Sequence, residues 1–563
     1  MSKDKETVAK KAIQKRQPPS KEEGLGKKPR TDAANRKSEP VQQPEEKLSR
    51  DEYRKRQMRL RQTRRMTRPY AALVQEIAPL WDVIKQKNVK TEEKARPIAQ
   101  IMELIKGRIK ELAQKSDATR MLQHVVTYAN AEQRASMARE VSFVAKFSSH
   151  THGMHFLKKL AGDCPRSRDI LAAKIRGEVS RMLRCRNSCL LLDEMYRRMN
   201  STKKMQLLAE LYSSEFATLD IPSGVLSVGD LVEKCRGKRD IILENLRNLV
   251  KQLLNKELMD LSVVQRLIDD YVTLEVPSKL TVAVEPFLEH VEAMVETCQG
   301  SNAVVRIIAA ASAKDRKQLV KTFKPHVPTL ARSPYGLNVL IALLSYVDDT
   351  VLLGKAVVQE LASVMLDLVL GDVNVRLVLF LLAGRQGKYI TTGAVSLLNE
   401  CDAIATSKKD PETRKSELLE YAMPSIKDAV EARLPIMIRS KHCAPVLVEF
   451  CQHVDDAAVS ALLDSVLEDF QGFDALLSDP AGDLFIRALI KRNERHAALV
   501  YQKMSLETHL TLPSAFLFVV MLRHQSLFET LKGQLAVIEG CESEAAKLLA
   551  KKLGEEPKFG TDQ

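Results

Sequence analysis

The feature that most limits what this chain can fold into is a recurrence. Helix-opening segments of one kind return along most of its length. They are SDATRMLQHVV, SSHTHGMHFLKKL, RCRNSCLLLDEM, LSVVQRLIDDYV, CQGSNAVVRII, RSPYGLNVLIALL, LGDVNVRLVLFLL, SKHCAPVLVEF, DPAGDLFIRALI and LPSAFLFVVML. With Thr119 as anchor, the matching positions are Met154, Cys189, Gln265, Ser301, Gly336, Asn374, Ala444, Gly482 and Ala515. Most neighbouring anchors lie 33 to 38 residues apart. A period of that size predicts stacked helical units, each burying its apolar face against its neighbours. The double gap from 189 to 265 predicts a worn repeat near Ser227, for eleven in all. The gap from 374 to 444 predicts one repeat enlarged by a polar insertion, near 402–416. Few segments alternate with period two, and Val/Ile-rich runs such as 263–268 sit inside helix-spaced patterns. The fold class is all-α.

The repeat that keeps most polar character spans residues 108–134. A helical pattern through Ile109, Leu112 and Ala113 breaks at Ser116-Asp117, where Asp117 is placed to cap a second helix. That helix sets Thr119, Arg120 and Gln123 on one side and Met121, Leu122, Val125 and Val126 on the other. A small polar group, a flat cation and an amide on one helical face suit a single base, held edge-on by hydrogen bonds and face-on by stacking. Other repeats lack the set. Met154, His155 and Lys158 suit stacking and phosphate; Cys189/Leu190/Asp193 and Gln265/Arg266/Asp269 are mixed. Ser301/Asn302/Val305, Gly336/Leu337/Leu340, Asn374/Val375/Val378 and Ala444/Pro445/Val448 end in residues with no donor or acceptor for a base edge. At most one or two repeats read a base, which excludes a code spread over eight. The base-contacting candidates are Thr119, Arg120, Gln123 and His155.

Charge is distributed to match. Residues 1–70 hold 22 Lys+Arg against 10 Asp+Glu, residues 71–200 hold 24 against 14, and the remaining 363 hold 41 against 48. A front carrying +12 and +10 ahead of a rear carrying −7 points a polyanion at the front. The phosphate-binding candidates are Arg54, Arg56, Arg59, Arg61, Arg64, Arg65, Arg134, Lys158, Lys159, Arg181, Arg184, Arg186, Arg197 and Arg198. Arginine outnumbers lysine in this set, as bidentate phosphate contacts favour. Arg181, Arg184 and the Arg197-Arg198 pair are expected to form one continuous positive face.

The domain order follows. Residues 1–48 are polar and almost free of large apolar side chains, so a disordered basic tail is expected. Its clusters Lys10-Lys11, Lys15-Arg16 and Lys27-Lys28-Pro29-Arg30 suit nuclear import or loose phosphate contact. Residues 49–90 give a basic helix and then an amphipathic one, with Trp81 as a packing anchor. Thr91 is expected to cap the next helix. Residues 91–200 hold basic repeats 1–3, 201–540 repeats 4–11, and 541–563 a terminal helix and tail.

Three stretches carry a family resemblance: the arginine-rich lead into PLWDVIKQKNVKTEEKARPIAQIMELIKGRIKELAQKSDATRMLQHVVTYANAEQR, then SAKDRKQLVKTFK, then SKKDPETRKSELLEYAMPSI. Across roughly residues 50–525 the chain resembles the Pumilio-related (Puf-like) nucleolar family of ribosome-biogenesis factors. The resemblance implies an eleven-repeat α-solenoid of Puf/armadillo-like three-helix repeats, bent into an L. It implies RNA or DNA binding with little sequence preference, and action on pre-ribosomal RNA and proteins in large-subunit assembly.

Other chemistries fit poorly. The nine cysteines form no CxxC pair, and Cys185 with Cys189 makes no zinc site alone. His150, His152 and His155 have no carboxylate or thiol at ligand spacing. GRQGKY at 384–389 fails as a phosphate loop, with Leu382 where its first glycine belongs and Tyr389 where Ser or Thr must hold magnesium. No catalytic motif appears, so the expectations are no enzyme, no metal, no cofactor and no membrane span; a monomer is expected, and the resemblance implies the nucleus and nucleolus. Two rivals stay open: a HEAT- or armadillo-like scaffold with a basic import tail, and a sequence-specific mRNA repressor of the Puf type.

Overall fold

The structure is a computed structural model that describes residues 49–67, 70–371, 375–469, 473–511 and 513–555. The tail expected over 1–48, Arg68, the anchor Asn374 and the last eight residues lie outside the described residues. The chain divides into two units, 1–71 and 72–563.

The first unit contributes α1 (Arg50–Met66). Ser49 and Glu52 start it with a reciprocal cap, each side chain accepting from the other's backbone N–H. Arg54, Arg56, Arg59, Arg61 and Arg64 are exposed along this helix, which also contains Arg65.

The second unit begins with α2 (Ala71–Lys85) and α3 (Thr91–Ile105). Three-helix repeats follow: α4 (Ile109–Leu112), α5 (Ser116–Tyr128) and α6 (Ala131–Glu140); α7 (Val144–Ser148), α8 (Thr151–Asp163) and α9 (Pro165–Ile175). The third repeat is α10 (Val179–Met182), α11 (Arg186–Arg197) and α12 (Ser201–Tyr212). After α13 (Val228–Lys234) and α14 (Arg239–Leu254) come α15 (Ser262–Leu274) and α16 (Pro277–Val284). The middle holds α17 (Val291–Met294), α18 (Cys298–Ala310), α19 (Ala313–Phe323), α20 (Val327–Arg332), α21 (Pro334–Tyr346), α22 (Thr350–Leu353) and α23 (Gln359–Ala362). Next are α24 (Met365–Leu370), α25 (Val375–Ala383), α26 (Thr392–Asp402) and the long α27 (Pro411–Met437). The last part holds α28 (Ala444–Phe450), α29 (Asp456–Asp469), α30 (Phe473–Ser478), α31 (Pro480–Arg492) and α32 (Glu494–Lys503). It ends with α33 (Leu506–His509), α34 (Phe516–Met521), α35 (Gln525–Gly533), α36 (Leu535–Glu539) and α37 (Glu544–Gly554).

The core is the stack of central helices, each packed on the next: α5, α8, α11, α15, α18, α21, α25, α28, α31, α34 and α37. That makes eleven among the described residues, though not the eleven expected. Ser227 does cap a helix, α13, but α11 packs directly on α15, so the worn repeat adds no helix to the stack. The eleventh place is taken by α37.

A short helix precedes most central helices, and the two backbones nearly touch. Three residues after the cap stands a small residue: Ala118, Gly153, Ser188, Gly300, Gly336, Gly482. A Cβ at Gly153, Gly300, Gly336 or Gly482 would fall 1.9–2.5 Å from the carbonyl oxygen of Phe147, Met294, Leu330 or Leu476. Each of those oxygens belongs to the preceding short helix. The anchors Gly336 and Gly482 therefore sit one residue early, and Leu337 and Asp483 share the register of Thr119.

The segment 385–410 folds back across the stack. α26 packs on α18. Thr406 donates to the carbonyls of Ala309 and Ala311, and Tyr346 Oη to Leu398 O and Asp402. The polar insertion is thus a cover tied to the middle of the array, followed by α27.

Candidate nucleic-acid interface

The anchor position lies inside the protein in the first repeats and at Leu337, whereas Asp483 in the same register is half-exposed. Thr119 is 2% exposed, and its hydroxyl donates to Ala113 O at 2.7 Å, closing the end of α4. Met154, Cys189, Gln265 and Ser301 are buried in the same register. The Cys189 thiol donates to Met182 and Leu183 carbonyls, and burial pushes it up to about 12. Gln265 Nε2 donates to Met259 O and Ala293 O while its Oε1 accepts from Thr297. Ser301 Oγ donates to Tyr335 O at 2.7 Å. Thr119 is therefore not a base-contacting residue: Thr119 and Cys189 join their central helices to the short helix before, and Ser301 joins α18 to α21. The cap of α5 is Lys115, with Asp117 in the first turn, and the cap of α3 is Lys90 rather than Thr91.

The next register position is open at the front of the stack. Arg120 on α5 and His155 on α8 are both exposed, five residues after their caps, on adjacent helices. Three residues further, Gln123 and Lys158 are half-buried on the same face. Arg120, Gln123, His155 and Lys158 thus come together in two rows. His124 lies beside them, edge-on to Trp81 with ring centroids 5.9 Å apart. Burial first, then Lys85, Lys159 and Lys94, push its imidazole below the usual range. Three ammonium groups around a neutral ring mark a positive field. Trp81 is a half-buried packing residue, with Lys85 Nζ 4.1 Å above its ring.

Further along, this face closes. Asp193 is buried, accepting from Val263 N at 3.1 Å, and burial raises its carboxyl. Asp269 pairs with Arg306, which also reaches Glu400 of α26 at 2.9 Å. Val305 and Ile341, the matching residues of α18 and α21, are buried.

Beyond the six candidate arginines of α1, the predicted phosphate ligands divide into three groups. Arg134 is structural: its guanidinium donates to Val126 O at 2.7 Å, Thr127 O at 2.8 Å and Asp163 O at 3.0 Å, the C-terminal carbonyls of α5 and α8. Lys158, Lys159, Arg181, Arg197 and Arg198 are tethered to Glu194, Asp163, Glu178, Asp193 and Glu194 respectively. Arg184 and Arg186 are exposed with no side-chain partner among the described residues, and so is Arg120. The continuous face expected from Arg181 to Arg198 does not form. Arg186 opens α11 and Arg197 ends it, about 16 Å apart along the axis. Arg184 and Arg186 lie at one end of the central helices, Arg197 and Arg198 at the other.

Sequence reasoning missed a recurring arginine four residues after the cap of a flanking helix. The pairs are Asn130/Arg134, Cys164/Arg168, Ser312/Arg316 and Asp410/Arg414. Arg168 donates to Ala161 O and Arg198 O, and Arg414 to Ser345 O. Arg316 pairs with Asp348 at 3.5 Å. The cap-x-x-x-Arg spacing was the signal available.

Architecture and register define a Pumilio-type α-solenoid. A crystal structure of human Puf-A superposes with TM-score 0.71 at 21% identity, over 85% of this chain and 99% of that one. Puf-A in complex with DNA gives 0.67, also at 21%, over 86% and 97%. Residues 374–499 match the CPL (NUC119) domain model. Rat Pumilio homolog 3 is 25% identical over 462 residues, 79% of this chain and 71% of the relative. Human Pumilio homolog 3 is 25% identical over 382 residues, 67% of this chain but 59% of the relative, less than two thirds of its length. In fold the chain is similar to Puf-A, and in sequence to Pumilio homolog 3.

Proposed function

We propose that this chain is an RNA-binding solenoid of low sequence specificity, able to hold DNA as well, acting in rRNA processing and large ribosomal subunit assembly in the nucleolus. The observation that carries the reading is the pairing of buried anchors with exposed cations in the first three repeats. A face that keeps Arg120, His155, Lys158, Arg184 and Arg186 but turns its first triplet position inward holds phosphates and stacks bases without reading them. The solved complex of Puf-A with DNA supports a nucleic-acid partner. The nucleolar and ribosomal parts rest on the family resemblance. Pre-ribosomal RNA and proteins are the partners in this reading, the chain acts as a monomer, and it has no catalysis of its own. The buried anchors disfavour a Puf-type repressor.

The test is fluorescence anisotropy of the full chain and of residues 71–563 with two unrelated structured RNAs and a matched duplex DNA, at several salt concentrations. Similar affinities with a steep salt slope are expected, since each phosphate contact releases counterions. Loss of all binding on removing residues 1–70 would leave the scaffold reading, with the basic segment as an import signal. Strong preference for one RNA would restore the repressor.

A further inference from the structure

The C-terminal half carries net negative charge, yet one cavity in it gathers cations. The hollow has a volume of about 570 Å³ and lies between α21, α25, the loop after α26 and the start of α27. Its floor is apolar, from residues such as Leu344, Phe380, Leu381 and Leu418. Around it stand five cations, Arg385, Lys408, Lys409, Arg414 and Lys415, against three carboxylates, Asp402, Asp410 and Glu412.

The cations are not equally engaged. Arg385 is held by Asp402, and Lys409 by Glu417 and Thr350. Lys408 is exposed, and its ammonium has no partner among the described residues. Lys415 reaches Glu412 only at 3.9 Å. Behind them Arg414, 4% exposed, shares the single carboxylate of Asp348 with Arg316, 1% exposed. Arg414 Nε, and Nε and Nη1 of Arg316, are buried without a hydrogen-bond partner among the described residues. Two buried guanidiniums on one carboxylate leave an uncompensated positive charge behind the wall, where low polarity lengthens its reach.

We propose that this cavity is a docking site for an acidic peptide segment of a partner protein. A large apolar side chain fills the hollow, and a neighbouring carboxylate lies between Lys408 and Lys415. The volume is in the range of pockets that enclose one bulky group with a few placed polar contacts. Nucleic acid fits less well, because Asp402, Asp410 and Glu412 repel a polyphosphate at the mouth and the apolar floor has nothing to offer a sugar-phosphate chain. The site is independent of the nucleic-acid face on α5 and α8.

The experiment is selection of random twelve-residue displayed peptides on the full chain, followed by affinity measurement of the enriched peptide as a synthetic probe. Peptides with Asp or Glu within a few positions of a large apolar residue are expected. Binding of the probe should fall at least tenfold in Lys408→Glu/Lys415→Glu and in Ala405→Trp, which fills the hollow. The exposed single variant Lys408→Glu, checked by circular dichroism, guards against misfolding and should weaken the probe by several fold. RNA affinity should stay unchanged in all three. No enrichment, enrichment of peptides without acidic residues, binding that survives the charge reversals, or displacement of the probe by structured RNA would each overturn the proposal.

Discussion

Arg134 and Arg184 are neighbours in composition and opposites in role. Arg134 donates to three carbonyls at the ends of two central helices, where four C=O groups per helix otherwise lack partners. Arg168, 9% exposed, repeats the arrangement one unit later. Replacing Arg168 by alanine should cost roughly 2–4 kcal/mol in urea unfolding, because buried acceptors lose charge-assisted partners. Arg184→Glu and Arg186→Glu should leave stability within about 0.5 kcal/mol. The pair should instead weaken RNA binding several fold and flatten its salt dependence, as read by anisotropy. Asp348 gives a pH test. Burial alone would raise its carboxyl, but Ser407 Oγ, the Lys408 and Lys409 N–H groups and Arg414 outweigh it and hold the group down to about 2. A carboxyl lowered in the folded state stabilises the protein above its unfolded pKa and loses that contribution as pH falls. Between about pH 4 and pH 2 the chain should therefore lose roughly 2 kcal/mol from this group. Asp348→Asn should lack that part of the pH dependence in urea unfolding.

At the scale of elements, the close approach of short and central helices sets what each repeat tolerates. Gly300→Ala should destabilise by roughly 1–3 kcal/mol in urea unfolding, since its Cβ would fall 1.9 Å from Met294 O. Gly393→Ala in α26 meets nothing within 4 Å and should stabilise by up to about 1 kcal/mol. The period, the apolar stripes and the stacked helices were all legible from residue spacing, because burial of one face per helix repeats every turn. The inward turn of Thr119 was not. A threonine four residues after a cap looks like an exposed polar group until the end of α4 is placed against it. The register slip at Gly336 and Gly482 has the same origin: the small residue marks backbone contact, one position before the anchor. Arg120 and His155 were legible as exposed positions of one helical face, because nothing packs over them. Arg134 was misread because helix ends and phosphates ask for the same cation. Thr119→Val should cost about 1 kcal/mol of stability and leave relative affinities for different RNAs unchanged, a comparison anisotropy can make.

For the whole molecule, the segment that folds back from α26 breaks the rule of a linear array, in which each unit touches only its neighbours. Arg306 and Glu400 are 94 residues apart in sequence, and Thr406 meets Ala311 across 95. A chain made from its N-terminus exposes α18 long before its cover exists. At about 5–20 residues per second, the wait is roughly 5–20 s. During that interval the carbonyls of Ala309 and Ala311 lack their Thr406 partner, and Arg306, paired with Asp269, lacks Glu400. The middle of this protein is thus finished late: a chain stalled before residue 400 leaves polar groups at the end of α18 without the partners that the completed molecule gives them.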